Sequence, residues 1–192
     1  MTIMILGLLI FLGSHSVRIF AENWRQHQVD KLGLTTWKVA YSAVSVVGLA
    51  IAIYGFGQMR MDPIYIWFPP MGLRHAVALL MLPAFIFLVA AYVPRNAIKA
   101  KLGHPMMLSV KVWALAHLLV NGRLGDIIFF SAFLVWAILA FKAAKKRDRL
   151  HPPAAVATSI PATVATVIIG VVAYVLFALH LHMLLIGVPV FG

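Results

Sequence analysis

Eight histidines are the residues of this 192-residue chain best equipped for chemistry. The chain has no cysteine, which removes disulfides, thiolate nucleophiles and thiolate metal ligands. It has five acidic residues and no paired carboxylates at ligand spacing. With neither an HExxH helix nor a GxSxG turn, metal hydrolysis, glycosidase chemistry and a Ser-His-Asp triad lack their parts. His15, His117, His180 and His182 fall inside strongly apolar stretches, His75 lies near the start of another, and His104 lies in a loop. His27 and His151 sit in polar loops and read as solvated side chains. An imidazole in apolar surroundings suits two tasks. It can ligate haem iron, or it can hydrogen-bond across helices as packing glue. Spacing alone leaves both open.

The elements that must position these rings follow from composition. The chain is 63% hydrophobic and 11% charged, with a mean hydropathy of +0.98. A soluble domain is about 45–50% apolar and about 25% charged, so a soluble enzyme and a disordered chain are both excluded. The fold class is all-α, a polytopic membrane helix bundle in a single domain, residues 1–192. Six apolar segments are predicted: Met1–Phe20, Val39–Gly57, Leu73–Val93 with Pro83 inside, a short Met106–Leu119 carrying Lys111, Leu124–Phe141 and Thr163–Val188. The first reads as a span and not a cleavable signal, because its basic residues follow the apolar run. Asn121-Gly122-Arg123 turns the fourth back on the fifth as an antiparallel hairpin. The basic stretch from Lys142 to Pro161 reads as the one linker-like segment.

Loop charge gives the orientation. Thirteen Lys and Arg fall in the loops after the first, third and fifth segments, and Arg60, Arg74 and Arg123 fall on the other side. By the positive-inside rule both termini face away from the cytoplasm. The net charge of +11 then reflects topology and anionic lipid, and no nucleic-acid partner is expected. Rise per residue places His15 roughly 10 Å and His117 roughly 17 Å above the inner face of a ~30 Å core, with His180 at roughly 25 Å. His15 and His117 are therefore compatible in depth and His75 is not. His180 and His182 are two apart, so at most one of them readily faces any one site. Two rings at matching depth on different helices suggest a haem clamp. Arg18, three residues after His15, suits a haem propionate. Asn121, four after His117, suits either the ring proton of His117 or the cap of the fourth helix. Asp126 is expected at the start of the fifth helix, near its N-terminal dipole.

Three stretches resemble the NnrU family of bacterial membrane proteins: Leu12-Gly13-Ser14-His15-Ser16-Val17-Arg18; Leu73-Arg74-His75 leading to Leu80-Met81-Leu82-Pro83 and Ala91-Tyr92-Val93-Pro94; and Gly103-His104-Pro105-Met106 followed by Trp113-Ala114-Leu115-Ala116-His117. The resemblance is strongest over 1–150. It implies a link to denitrification and nitric oxide metabolism in a bacterial inner membrane, with both termini periplasmic. It also implies a relationship to 15-cis-zeta-carotene isomerase, a haem b membrane enzyme, and hence haem b on His15 and His117. Two partners besides the lipid bilayer follow from it, an apolar polyene or nitric oxide. The isomerase pattern has a Cys where this chain has Ala114, so thiolate ligation does not carry over. Gly103-His104-Pro105 with Arg147 and Asp148 also resembles S-adenosylmethionine-dependent membrane methyltransferases, whose later element has two acids where this chain has one. The plainer role for His104-Pro105 is to start a helix.

Overall fold

A bilayer core offers no water to backbone N–H and C=O groups, so a spanning segment must satisfy them within itself. Each of the six apolar runs does so as a helix. The computed structural model describes residues 1–154 and 156–191; Ala155, inside the linker-like stretch, and Gly192 lie outside the described residues. The helices are α1 (Thr2–Phe20), α2 (Glu22–Leu32), α3 (Leu34–Met61), α4 (Leu73–Tyr92), α5 (Ala97–Leu102), α6 (Pro105–Val120), α7 (Leu124–Leu150), α8 (Ile160–Leu176) and α9 (His182–Ile186). A π-helical turn, Phe177–Leu181, joins α8 to α9. Among the described residues no strand is present beyond one isolated bridge between Tyr65 and Arg123. The stretches Thr2–Phe20, Leu34–Met61, Leu73–Tyr92, Leu124–Leu150 and Ile160–Ile186 are long and apolar enough to cross a membrane. With 16 residues, α6 reaches only about 24 Å, short of a ~30 Å core. The protein is an integral membrane helix bundle.

Hydrogen bonds between loops fix which helix ends lie together. Arg147 Nη1 donates to the carbonyl of Arg18 at 3.2 Å, His104 meets Asp148, and Ser159 N–H donates to Arg95 O at 2.8 Å. These join the ends of α1, α4 and α7 and the starts of α6 and α8 at one end, which carries most of the Lys and Arg. At the opposite end Ile66 N–H donates to Gly122 O, Leu124 N–H to Ile64 O, and Arg60 Nη1 to Ile186 O, each at 2.8 Å. Met4 packs against Gly55 there, near the end of α3. Both termini therefore lie at the end opposite the basic one, and the expected hairpin forms between α6 and α7.

Laterally the helices neighbour one another in the order α3, α1, α7, α6, α4, α8, with α3 also touching α7. Because lipid is as apolar as leucine, such helices associate through close packing and interhelical hydrogen bonds. The α1–α3 seam shows this. A Cβ on Gly7 would overlap the Ala52 backbone, one on Gly48 the backbone of Phe11, and one on Gly55 the backbone of Met4. Farther along the row, Ser109 Oγ donates to Ala84 O at 2.7 Å and Tyr174 Oη to Ala78 O at 2.8 Å. The central helix is α7; its Phe129, Phe130 and Phe133 form the core with Met4, Leu8, Ala52 and Ala114.

Three features differ from the sequence expectation. Polar α2 and short α5 are helices in stretches expected to be loops. The segment Lys142–Leu150 is no linker but the last turns of α7; Ala, Lys, Arg and Leu are strong helix formers, and nothing requires a helix to stop at the bilayer edge. At the α4–α5 corner Asn96, 1% exposed, accepts from Lys99 N–H and donates to Ala90 O and Val93 O.

Candidate functional site

The interior-facing histidines share one local device. On α1, His15 Nδ1 donates to Phe11 O at 2.7 Å. On α6, His117 Nδ1 donates to Trp113 O at 2.8 Å. A carbonyl can only accept, so each Nδ1 carries the proton. In a neutral ring the Nε2 lone pair is then free, which is how a second-ring hydrogen bond prepares a histidine for a metal. Neither Nε2 has a hydrogen-bond partner among the described residues. The spacing behind this is i to i−4 along a helix, where side chains lean back toward the preceding turn.

Aromatic rings hold both imidazoles in place. His15 lies 4.3 Å from Phe11, 5.2 Å from Tyr41 and 5.8 Å from Trp136, centroid to centroid. His117 stacks on Phe130 at 4.6 Å and lies 5.3 Å from Trp113. The two rings thus touch α7 at residues 130 and 136, about 9 Å apart along its axis, with His117 nearer the terminal end. Phe133 stands between them, 5.8 Å from Phe11 and 5.4 Å from Trp113. The depth order matches the sequence expectation, but the rings do not face each other across open space.

Two grooves flank His15. One, of about 230 Å³ between α1 and α3, is lined by His15, Tyr41, Ser42 and Ser45. The other, of about 430 Å³ between α1 and α7, is lined by Leu9, Leu12, Val135, Leu139 and Trp136. Ligand pockets for organic molecules start near roughly 300 Å³, so only the second has that size. Trp136 joins the two sides: it touches His15, lines the larger groove, and its buried Nε1–H has no hydrogen-bond acceptor. Buried donors are ordinarily satisfied, so this one marks a place where an acceptor belongs.

These observations bear on an iron porphyrin. The donor set fits, since both imidazoles offer Nε2 and an indole N–H beside one of them lacks an acceptor. The packing between the rings does not: Phe130 and Phe133 must turn aside before one iron can touch both. Among the described residues no group of three His, Asp or Glu side chains could hold a bare metal ion.

The other sequence candidates are placed as follows. Arg18 is exposed and reaches Glu22, Nε to Oε2 3.7 Å. Asn121 caps α6, its Nδ2 donating to His117 O at 2.8 Å, while the His117 ring proton goes to Trp113. Asp126 is 5% exposed in the first turn of α7, as expected. His104 Nε2 and Asp148 Oδ2 meet at 2.8 Å, whereas Arg147 turns away to α1. His75, His180, His27 and His151 are exposed. The sequence pattern gave His182 no role. It follows the π-helical turn and donates through Nδ1 to Val188 O at 2.6 Å. Its signal is visible only in hindsight, since a π-turn adds a residue to the helical register and leaves no mark in hydropathy.

No curated protein and no solved structure matches the chain. The model of the NnrU family, described as NnrU protein, matches residues 3–190. That span covers α1 through α9, including the terminal helices, where the motif likeness was weakest. The chain belongs to the NnrU family.

Proposed function

We propose that this NnrU-family protein is a haem b-binding protein of the bacterial inner membrane, serving a redox or nitric-oxide-linked role, with His15 and His117 as iron ligands. The observation that carries this reading is the shared ring geometry: Nδ1 fixed to the i−4 carbonyl and Nε2 unpartnered on two helices. The orphaned Trp136 N–H supports it. When bound, haem iron supplies electron exchange and an affinity for diatomic ligands. The chain's own contributions are to orient two neutral imidazoles and to offer the Trp136 N–H to an acceptor. Arg18, one turn from His15 toward the basic end, is the cation for a propionate if its contact with Glu22 is exchanged. The basic end faces the cytoplasm and both termini face the periplasm. The test is the ultraviolet–visible spectrum of protein purified from a haem-replete host, oxidised and reduced. A low-spin, six-coordinate oxidised spectrum is expected. Colourless protein would overturn the reading, and the two histidines would revert to structural hydrogen bonding.

The larger α1–α7 groove favours one second reading, an isomerase-like haem enzyme acting on a long apolar polyene. The groove is open to the side, almost wholly apolar in its lining residues, and shares Trp136 with the His15 ring. Pigment analysis in a host accumulating the cis polyene decides it. Isomerised product that depends on His15 and His117 would establish it, and unchanged pigment would leave the non-enzymatic role.

A further inference from the structure

We propose that Lys111, Lys142 and Lys145 form a site for the phosphate of an anionic phospholipid headgroup, at the basic end of the α6–α7 hairpin. This is independent of the haem reading and lies away from its residues. Lys111 belongs to the short apolar helix α6, six residues past its start at Pro105, about 9 Å into the helix. A cation at that depth is costly unless its long stem carries the amine to the membrane surface or a partner meets it. Its amine stands 3.9 Å from the centre of the Phe141 ring, and the Lys145 amine stands 5.7 Å from the same centre. Lys142 follows Phe141 on α7 and is exposed at the same end of the bundle. Two amines thus gather around one ring with a third nearby.

The site lacks its anion. Among the described residues no carboxylate lies within ion-pair distance of any of the three lysines. The one acid in the neighbourhood, Asp148, shares the Gly103 corner with the Lys145 amine but pairs with His104, at 2.8 Å. The Lys145 amine packs against Gly103, whose φ of +78° and missing side chain leave room for it at the α5–α6 corner. Attraction to the Phe141 ring offsets part of the cost of each ammonium but does nothing for their mutual repulsion. A phosphate set among the three amines cancels that repulsion. Basic pockets between helices at the cytoplasmic surface take lipid headgroups in this way. A phospholipid suits the place better than free phosphate because Leu115 and Leu119, four and eight residues after Lys111 on the same face of α6, are exposed for acyl chains to cover.

The test uses the full-length protein in neutral detergent, with bound lipids counted by native mass spectrometry. The probes are dioleoylphosphatidylglycerol, dioleoylphosphatidylcholine and inorganic phosphate. Phosphatidylglycerol should be retained about tenfold or more over phosphatidylcholine, and millimolar inorganic phosphate should not displace it. Lys111→Met with Lys145→Met should abolish the preference, while Lys31→Met with Lys38→Met on the distant α2–α3 segment should keep it. Should the first double variant fail to fold by circular dichroism, Lys145→Gln alone should still reduce the preference several-fold. Equal retention of the two lipids would overturn the proposal, as would a preference untouched by Lys145→Gln. Displacement by inorganic phosphate would overturn the lipid as the source of the anion.

Discussion

His15 and His117 have the same arrangement on helices that do not touch, and that coincidence makes a sharp test possible. An intrahelical Nδ1–H···O=C bond costs a packing histidine its chance to bridge helices, since the other nitrogen then finds no protein partner. A ring kept only as glue would use its polar atoms between helices, as Ser109 and Tyr174 do. His117→Ala should therefore remove or strongly alter the haem spectrum while circular dichroism stays helical. His15→Ala should convert a six-coordinate spectrum to a five-coordinate one. Wild-type spectra from both variants would reject the assignment. Trp136 gives a second, opposite-signed test. Without a ligand, Trp136→Phe deletes an unsatisfied buried donor and should be neutral or stabilising, by up to about 1 kcal/mol. With a ligand accepting from Nε1, the same change should lower haem retention severalfold on a desalting column with the fold intact. Haem retention equal to wild type would show that the indole serves packing alone. The two rings were legible in the sequence because a histidine in an apolar run is conspicuous. The Phe130–Phe133 column between them was not, because it depends on which face α7 turns inward, and α7 is apolar nearly all round.

At the scale of elements, hydropathy marked the spans because a run of about 20 apolar residues matches the thickness of a bilayer core and is too long for an ordinary buried helix. It was silent on α2, α5 and the last turns of α7, which are polar helices at or beyond the membrane surface. It was equally silent on which helices pair. The α1–α3 seam rests on Gly7, Gly48, Ala52 and Gly55, and small residues in a hydrophobic segment do not name the partner whose backbone they admit. Structure supplies that partner and with it a prediction. Gly48→Leu places a branched side chain where Phe11 N and Ile10 already lie. Overpacking of this kind costs about 1–3 kcal/mol. The larger effect should be local: α1 must move from α3, and the His15 ring with it, since Tyr41 on α3 is one of its contacts. Gly57→Leu is the control, because a Cβ there meets nothing within 4 Å. The thermal midpoint of Gly48→Leu should fall by several degrees relative to Gly57→Leu, and its haem retention should fall with it. Equal midpoints would show that α1 and α3 do not depend on their close approach.

For the whole molecule, parity and polarity are separate questions with separate sources. Parity comes from hydrogen bonds: the joined ends of α1, α4 and α7 and the joined turns at the other end make the six apolar helices alternate in direction, with α6 the short one. Lys111 eases that shortness, because its stem can carry the charge toward the surface while the apolar remainder of α6 stays in the core. Polarity comes from charge, which was legible in the sequence: thirteen Lys and Arg lie in or beside the three connections at one end and three at the other. Each basic residue near a segment end favours retention in the cytoplasm, and the effect counts Lys and Arg without regard to nearby acids. A reporter fused after Asp148 should therefore read as cytoplasmic and one fused after Gly192 as periplasmic. The same location for both fusions would contradict an odd pass between them and break the six-pass bundle. Opposite locations in the reverse sense would keep the bundle and reject the charge argument, and the lysine site would then face the outer leaflet. Neutralising only the five basic residues from Lys142 to Arg149 should leave both readings unchanged, because the other two basic loops, tied to the same end, still outnumber Arg60, Arg74 and Arg123. An inverted or mixed topology in that variant would show that the last loop alone sets the orientation.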